Sequence, residues 1–127
     1  MTVIPSEHQE QCALFEWAAW MANTMPELHL MHAIPNGGKR DIRTAAKLKA
    51  EGVKPGVPDI FLPVPRGGKH GLYIELKRRK GGTVSAAQEA WIRALTEQGY
   101  VCAVCHGAAA ARDEIEAYMA MCTKEDK

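Results

Sequence analysis

The sequence lacks several features that would place the chain in a common class of protein. No apolar run is close to the length of about eighteen residues that a membrane-spanning helix needs, and no signal peptide precedes the first motif. Phosphate-loop, Gly-x-Ser-x-Gly and His-Glu-x-x-His motifs are also missing from the sequence. We therefore expect a cytoplasmic protein without a membrane partner, and we set aside nucleotide triphosphate hydrolysis.

The chain has four cysteines in 127 residues. The segment Cys102-Ala-Val-Cys105-His106 has the spacing of a c-type haem attachment and, less fully, of a zinc or redox pair. However, the apolar run 100–105 predicts a strand, on which positions 102 and 105 point to opposite faces. We interpret Cys12 and Cys122, on predicted helices, as buried thiols in a reducing compartment, and expect neither haem nor zinc.

The chain also lacks an excess of positive charge, because 16 Lys and Arg residues face 15 Asp and Glu residues. The cations are clustered instead: six fall between Lys39 and Lys54, and four more form Lys77-Arg-Arg-Lys80. Clusters of this kind suit contacts with a nucleic-acid backbone, although a solvated helix face explains the first cluster nearly as well. The candidate phosphate contacts are Lys39, Arg40, Arg43, Arg78, Arg79 and Lys80.

The length of 127 residues and the hydrophobic content of 46% fit one domain spanning 1–127. Patterning predicts helices at about 7–22, 41–51, 86–98 and 108–121, an extended segment at 28–34, and strands at 59–64, 72–77 and 100–105. The order predicts an α/β fold, a sheet flanked by helices.

Local signals refine these elements. Ser6 and Gln9 form a capping box for the first helix, and Gly52 ends the second. The predicted buried residues are Cys12, Phe15, Ala19 and Ala22 on the first helix, Trp91 and Leu95 on the third, and Ile115, Tyr118 and Met119 on the last.

The most informative pattern is Pro58-Asp59 followed by Glu75-Leu76-Lys77. The glycine-rich segment 65–71 predicts a turn between two antiparallel strands. Asp59 and Glu75 are symmetric about Gly67, so they are expected to face each other with Cβ atoms roughly 4.5–5.5 Å apart. Lys77 shares the face of Glu75 because side chains alternate along a strand.

Two carboxylates placed in this way could bridge one divalent cation, with Lys77 orienting or activating water. The reaction class that this chemistry favours is phosphodiester hydrolysis. Taken alone, a Glu-x-Lys pair on a strand is commonly a solvated face. The preceding Pro58-Asp59 and the symmetry of the hairpin are what favour a catalytic site.

This pattern is similar to the signature of the PD-(D/E)XK nucleases, and the chain more closely resembles the VRR-Nuc family within them. The resemblance extends over about residues 6–120. It is carried by Ser6-Glu7-His-Gln-Glu-Gln11, Ile34-Pro-Asn-Gly-Gly-Lys-Arg40, Gly56-Val-Pro-Asp-Ile-Phe61 with Gly71-Leu-Tyr-Ile-Glu-Leu-Lys77, and Ser85-Ala-Ala-Gln88 through Trp91. The compact size resembles the stand-alone type found in phages and bacteria. The implied fold is a restriction-endonuclease-like core, a small mixed β-sheet flanked by helices.

The resemblance implies a role for each matching position. Asp59 and Glu75 would be metal ligands, the Leu76 backbone carbonyl a third ligand, and Lys77 the catalytic lysine. The implied cofactor is Mg²⁺ or Mn²⁺.

Two further positions complete the implied site. An acidic residue on the first helix usually joins the metal ligands in this family; Glu7 fits best and Glu10 is the alternative. Gln88 matches a glutamine near the metal site and is a candidate catalytic residue. Ser85 and Gln88 equally fit a helix capping box, so both interpretations stay open.

The activity implied is that of a DNA endonuclease. Our preferred version is a homodimer that cleaves four-way (Holliday) junctions, because one site cuts one strand and two symmetric copies would cut two. The alternatives are a nickase of duplex or supercoiled DNA, a catalytically silent DNA-binding module, and a structural partner in a phage replication complex. A phage-encoded protein would act in the cytoplasm of its bacterial host.

Overall fold

The computed structural model describes residues 3–35 and 42–123. It contains the helices α1 (Glu7–Met21), α2 (Ile42–Ala50), α3 (Ala86–Glu97) and α4 (Ala108–Met119), a short 3-10 helix at Pro26–Leu30, and the strands β1 (His32–Ala33), β2 (Ile60–Leu62), β3 (Leu72–Lys77) and β4 (Val101–His106). None of the described helices is long and apolar enough to cross a membrane.

The strands form one mixed sheet in the order β1-β2-β3-β4. The first two pairs are antiparallel, and β3 and β4 run parallel with α3 as their connection. The predicted α/β class, a small mixed sheet flanked by helices, is confirmed.

The register of the β2–β3 hairpin follows the symmetry that the sequence predicts. Ile60 pairs with Ile74 and Leu62 with Leu72, and both pairs are symmetric about Gly67. Gly67 and Gly68 adopt φ values of +55° and +78°, which only glycine adopts readily, so the chain can reverse within two residues. Continuing this register by one residue brings Asp59 opposite Glu75.

The turn of this hairpin is anchored to the rest of the molecule. Arg66 is only 9% exposed; its Nη2 lies 3.0 Å from Glu27 Oε2, and its Nε donates to the Met119 carbonyl at 3.4 Å. The Gly67 amide donates to the Cys122 carbonyl at 2.8 Å. The turn is therefore fixed by contacts from two distant parts of the chain.

One face of the sheet, which we call the core face, packs against α1 and α4. Leu72, Ile74 and Leu76 of β3 are at most 1% exposed there, together with Leu14 and Ile115 of the helices. The predicted burial of Ile115, Tyr118 and Met119 is confirmed.

The opposite face carries Asp59, Glu75 and Lys77, and we call it the site face. Helix α3 lies against it, since Gln88 contacts Glu75. The predicted inward packing of Trp91 and Leu95 is only partly correct, because both are half-buried and α3 contributes no fully buried residue. The core lies on the other side of the sheet, out of reach of α3.

The predicted buried stripe of α1 was wrong. The predicted residues were Cys12, Phe15, Ala19 and Ala22, of which only Ala22 is buried. The observed stripe is Glu10, Leu14 and Ala18, spaced by four residues. Its first member is a carboxylate, which is why apolar patterning placed the stripe elsewhere. The predicted Ser6–Gln9 capping box is confirmed.

The remaining elements follow the prediction with local differences. The extended segment predicted at 28–34 is a 3-10 helix at Pro26–Leu30 followed by the short strand His32–Ala33. Gly52, with φ +98°, lies two residues past the end of α2 as predicted. Residues 36–41, which include Lys39, Arg40 and Asp41, are outside the described residues.

Candidate active site

Asp59 stands at the start of β2, where the fully buried Pro58 introduces the strand. Its Oδ2 accepts a hydrogen bond from the Leu76 amide at 2.9 Å. The short side chain of Asp59 is therefore held against β3, beside Glu75, as the register of the hairpin requires. The close approach of the Asp59 and Glu75 carboxyl groups is also evident in the electrostatics of Glu75.

Glu75 is 2% exposed and projects from the middle of β3 onto the site face. Its Oε2 accepts a hydrogen bond from Gln88 Nε2 at 3.0 Å and lies 3.5 Å from Lys77 Nζ. Its Oε1 is buried and has no hydrogen-bond donor among the described residues. An ionised carboxylate oxygen buried in this way is costly unless a positive group reaches it.

Burial raises the pKa of Glu75 from 4.5 to about 8. The negative charge of Asp59 and a hydrogen bond with its carboxyl group add to the shift, while Lys77 opposes it. Two neighbouring carboxylates that resist simultaneous ionisation form an environment that attracts a cation.

Lys77 ends β3 and is 8% exposed. Its Nζ donates to Gln88 Oε1 at 3.1 Å, so the ammonium is held near Glu75 by a neutral acceptor as well as by the carboxylate. The buried amine retains two contacts that fix its direction, which is what a group acting on a substrate phosphate requires.

Gln88 forms the predicted capping box and also contacts two residues of the candidate site. Its backbone amide donates to Ser85 Oγ at 3.1 Å, and its Oε1 accepts from the Ser85 amide at 2.8 Å, which completes the capping box of α3. The same side chain bridges Lys77 and Glu75. The start of α3 and the arrangement of the site therefore depend on one residue.

The two candidate helix carboxylates differ in environment. Glu7 is exposed in the first turn of α1, whereas Glu10 is 2% exposed. Glu10 Oε2 pairs with Arg79 Nε at 2.9 Å, and Oε1 accepts from the Ala108 amide at 3.3 Å. Within the described ranges no three His, Cys, Asp or Glu side chains gather as a metal cluster, so neither carboxylate is grouped with Asp59 and Glu75.

The candidate DNA-binding cations also separate into groups. Lys39 and Arg40 fall outside the described residues, and Arg43 is exposed on α2. Arg78 and Lys80 are exposed directly after β3. Arg79 makes the ion pair with Glu10, a contact between residues 69 positions apart that sequence patterning did not predict.

The site face also carries aromatic residues that were not among the predicted site residues. Phe61 is two residues from Asp59, and Tyr73 is two residues from Glu75, so each pair shares a face of its strand. Strand alternation alone could have identified them.

The residues of the site fit a hard divalent cation. Among the described residues, Glu75 Oε1 is a buried oxygen without a donor, and the carboxyl groups of Glu75 and Asp59 interact with each other. The amide and carbonyl of one strand residue point to the same side, so the Leu76 carbonyl lies on the side of Asp59, to which its amide donates. Oxygen donors of these kinds are those that Mg²⁺ and Mn²⁺ prefer.

Comparisons with known proteins identify the family of the chain and support its fold. The model of the VRR-NUC domain family matches residues 2–109. A solved structure described as a VRR_NUC domain protein is 27% identical, with a TM-score of 0.80 over 98% of this chain and 96% of that one. Comparison with curated proteins gave no significant match. Because the family model extends over most of the chain, the protein belongs to the VRR-NUC family of nuclease domains.

Proposed function

We propose that the protein is a divalent-metal-dependent endonuclease that hydrolyses phosphodiester bonds in DNA. The observation that carries the proposal is the buried Glu75 Oε1, which has no donor among the described residues, on a carboxyl group that interacts with the carboxyl group of Asp59. Lys77 stands on the same face, within 3.5 Å of Glu75. A DNA-binding module without turnover has no need for this arrangement.

Each residue has a distinct role in the proposed reaction. Asp59, Glu75 and the Leu76 carbonyl would hold Mg²⁺ or Mn²⁺, which when bound supplies Lewis-acid polarisation of the phosphoryl oxygen. Lys77 would direct its ammonium at the phosphate, where it orients the attacking water and offsets the negative charge that develops on the phosphate oxygens.

Gln88 is a positioning residue in this scheme. It donates to Glu75 Oε2 and accepts from Lys77 Nζ, so it keeps the carboxylate and the amine at fixed directions while Oε1 remains available to the cation. Glu7 stays the candidate for a further metal ligand, and the burial of Glu10 with Arg79 favours a structural role for Glu10.

The test is a cleavage assay on a four-way junction, a linear duplex and a supercoiled plasmid, each with Mg²⁺, Mn²⁺ or EDTA. Glu75→Ala should lower cleavage at least roughly 100-fold, the loss typical when one stabilising group of a polar site is removed. Glu116→Ala, which alters an exposed glutamate of α4, is the matched control and should cleave normally. Undiminished cleavage by Glu75→Ala would contradict the proposed site.

The three DNA substrates of the same assay distinguish a junction-cleaving homodimer, a nickase and a silent DNA-binding module. We favour a homodimer that cleaves four-way junctions by paired symmetric nicks, since one site cuts one strand at a time. Single nicks in the duplex or plasmid would instead identify a nickase. Metal-independent binding without cutting of any substrate would favour the silent DNA-binding module.

A further inference from the structure

A row of aromatic rings crosses three strands on the site face. His32 of β1 pairs with Phe61 of β2, and Phe61 pairs with Tyr73 of β3. The rings of Phe61 and Tyr73 are stacked, with centroids 4.2 Å apart and planes within 16°. The His32 ring meets Phe61 edge-on at 5.8 Å. We call His32, Phe61 and Tyr73 the aromatic row.

The row belongs to a ring cluster that is separate from the core. Tyr100 contacts both Phe61 and Tyr73, and His70 contacts Tyr100. Among the described residues, none of these five rings belongs to the core cluster or to the half-buried apolar residues packed on it. His32 and His70 are exposed and the other three rings are half-buried, so ring surface remains accessible on this face.

The positions of the rings are fixed by their surroundings. His32 Nδ1 lies 2.9 Å from the Leu30 carbonyl, which orients the imidazole. A Cβ atom at Gly71 would lie 2.8 Å from the Phe61 ring, and one at Gly99 would lie 2.7 Å from the His70 ring. Glycine at both positions leaves room for the rings to lie against the backbone.

The row is adjacent to the candidate active site. Phe61 follows Asp59 by two residues, and Tyr73 precedes Glu75 by two residues, all on the same face. Two residues correspond to roughly 6.4–6.8 Å along a strand. The base and sugar of one nucleotide can span such a distance. A nucleotide next to the phosphate at Glu75 therefore has ring surfaces within reach.

Exposed cations lie beyond both ends of β3. Lys69 precedes the strand, and Arg78 and Lys80 follow it. An anionic strand running along β3 would have cations at each end and aromatic rings between them. Proteins that bind single-stranded nucleic acid combine these two features, a positively charged track and rings on which bases stack.

We propose that the aromatic row stacks an unpaired nucleobase next to the phosphate that is cleaved. The proposal deepens the nuclease function and rests on it for the position of the phosphate. It names the substrate class as DNA with a base that is unpaired at the cut, or that unpairs easily there as at the branch point of a junction, in preference to a continuous duplex. A paired base would have to leave its helix before it could reach these rings.

The experiment measures equilibrium binding of two labelled DNAs by fluorescence anisotropy in EDTA, so that no cleavage occurs. One DNA is a paired duplex and the other is the same duplex with a single unpaired base. Stacking predicts that the wild-type protein prefers the second DNA about tenfold. His32→Ala and Phe61→Leu, which remove ring surface, should each abolish most of this preference.

Trp20→Leu is the matched control, because Trp20 is 68% exposed on α1 and lies outside the ring cluster. It should keep the wild-type preference. Equal binding of the two DNAs by the wild-type protein would overturn the proposal. The proposal would also fail if the row variants changed the sedimentation mass of the protein but not its DNA preference, since the row would then be a contact between copies.

Cleavage of the same two DNAs with Mg²⁺ distinguishes this proposal from the proposed function. Ring-dependent preference without any cleavage would defeat the nuclease and keep the stacking site. Cleavage with a preference that His32→Ala and Phe61→Leu leave unchanged would keep the nuclease and defeat the stacking site.

Discussion

Both faces of β3 carry buried side chains, but the burial is achieved by different means. On the core face Leu72, Ile74 and Leu76 are enclosed by apolar side chains of α1 and α4. On the site face Glu75 and Lys77 are nearly as inaccessible, yet their neighbours are polar groups that donate to and accept from them. Low exposure alone therefore does not separate stability from function. The distinguishing feature is the buried Glu75 oxygen that has no donor among the described residues.

The largest effects are expected from two variants of β3, one on each face of the strand and three residues apart. Ile74→Ala removes a fully buried side chain and should cost about 2–5 kcal/mol of unfolding free energy, measured by urea denaturation. Lys77→Met keeps the length of the side chain but removes the ammonium, and should lower cleavage roughly 100-fold or more with a smaller change in stability. Equal losses of stability in both variants would break the comparison.

The second prediction concerns the pH dependence of the metal-free protein. The pKa of Glu75 is raised from 4.5 to about 8, so the folded state holds a proton that the unfolded chain releases more readily. The stabilisation from this proton is complete below pH 4.5 and is lost as the pH rises towards 8. In EDTA, the Tm of the wild-type protein should therefore fall relative to Glu75→Gln over this range. A difference that stays constant with pH would contradict the shift.

The third prediction compares the loss of stability on removing Arg79 with the loss on removing its neighbour Arg78. Arg79→Ala leaves the buried Glu10 without its charged partner and should cost about 1–3 kcal/mol of stability. Arg78→Ala alters an exposed side chain and should change stability by less than about 0.5 kcal/mol. If Arg78 contacts phosphate, its loss should lower the salt dependence of DNA binding by about one unit. A stability loss confined to Arg78→Ala would reverse these assignments.

The sequence predicted the features that depend on local periodicity and missed those that depend on distant contacts. The β2–β3 register and the burial of Ile115 follow from strand symmetry and helix periodicity, and both were predicted correctly. The pairing of Glu10 with Arg79 joins residues 69 positions apart. Because of this pairing, a carboxylate is part of the buried stripe of α1. No apolar pattern reports a buried charge whose partner lies so far along the chain.

The smallest expected effect separates the two roles of Gln88. Ser85→Ala removes the helix cap and should cost about 1 kcal/mol of stability while cleavage stays near normal. Gln88→Ala also removes the groups that contact Lys77 and Glu75, so it should lower cleavage further. Thermal melts and initial cleavage rates of the two variants provide the comparison. Similar cleavage rates would limit Gln88 to the capping role.

The anchored turn of the β2–β3 hairpin affects how the protein would respond to protease. Arg66 lies in a glycine-rich surface segment of a type that trypsin usually cuts, but its contacts with Glu27 and Met119 must break before the segment can enter a protease. Cleavage after Arg66 would therefore report the opening of the hairpin. Because the same turn sets Asp59 opposite Glu75, the rate of that cleavage would measure how often the candidate metal ligands separate.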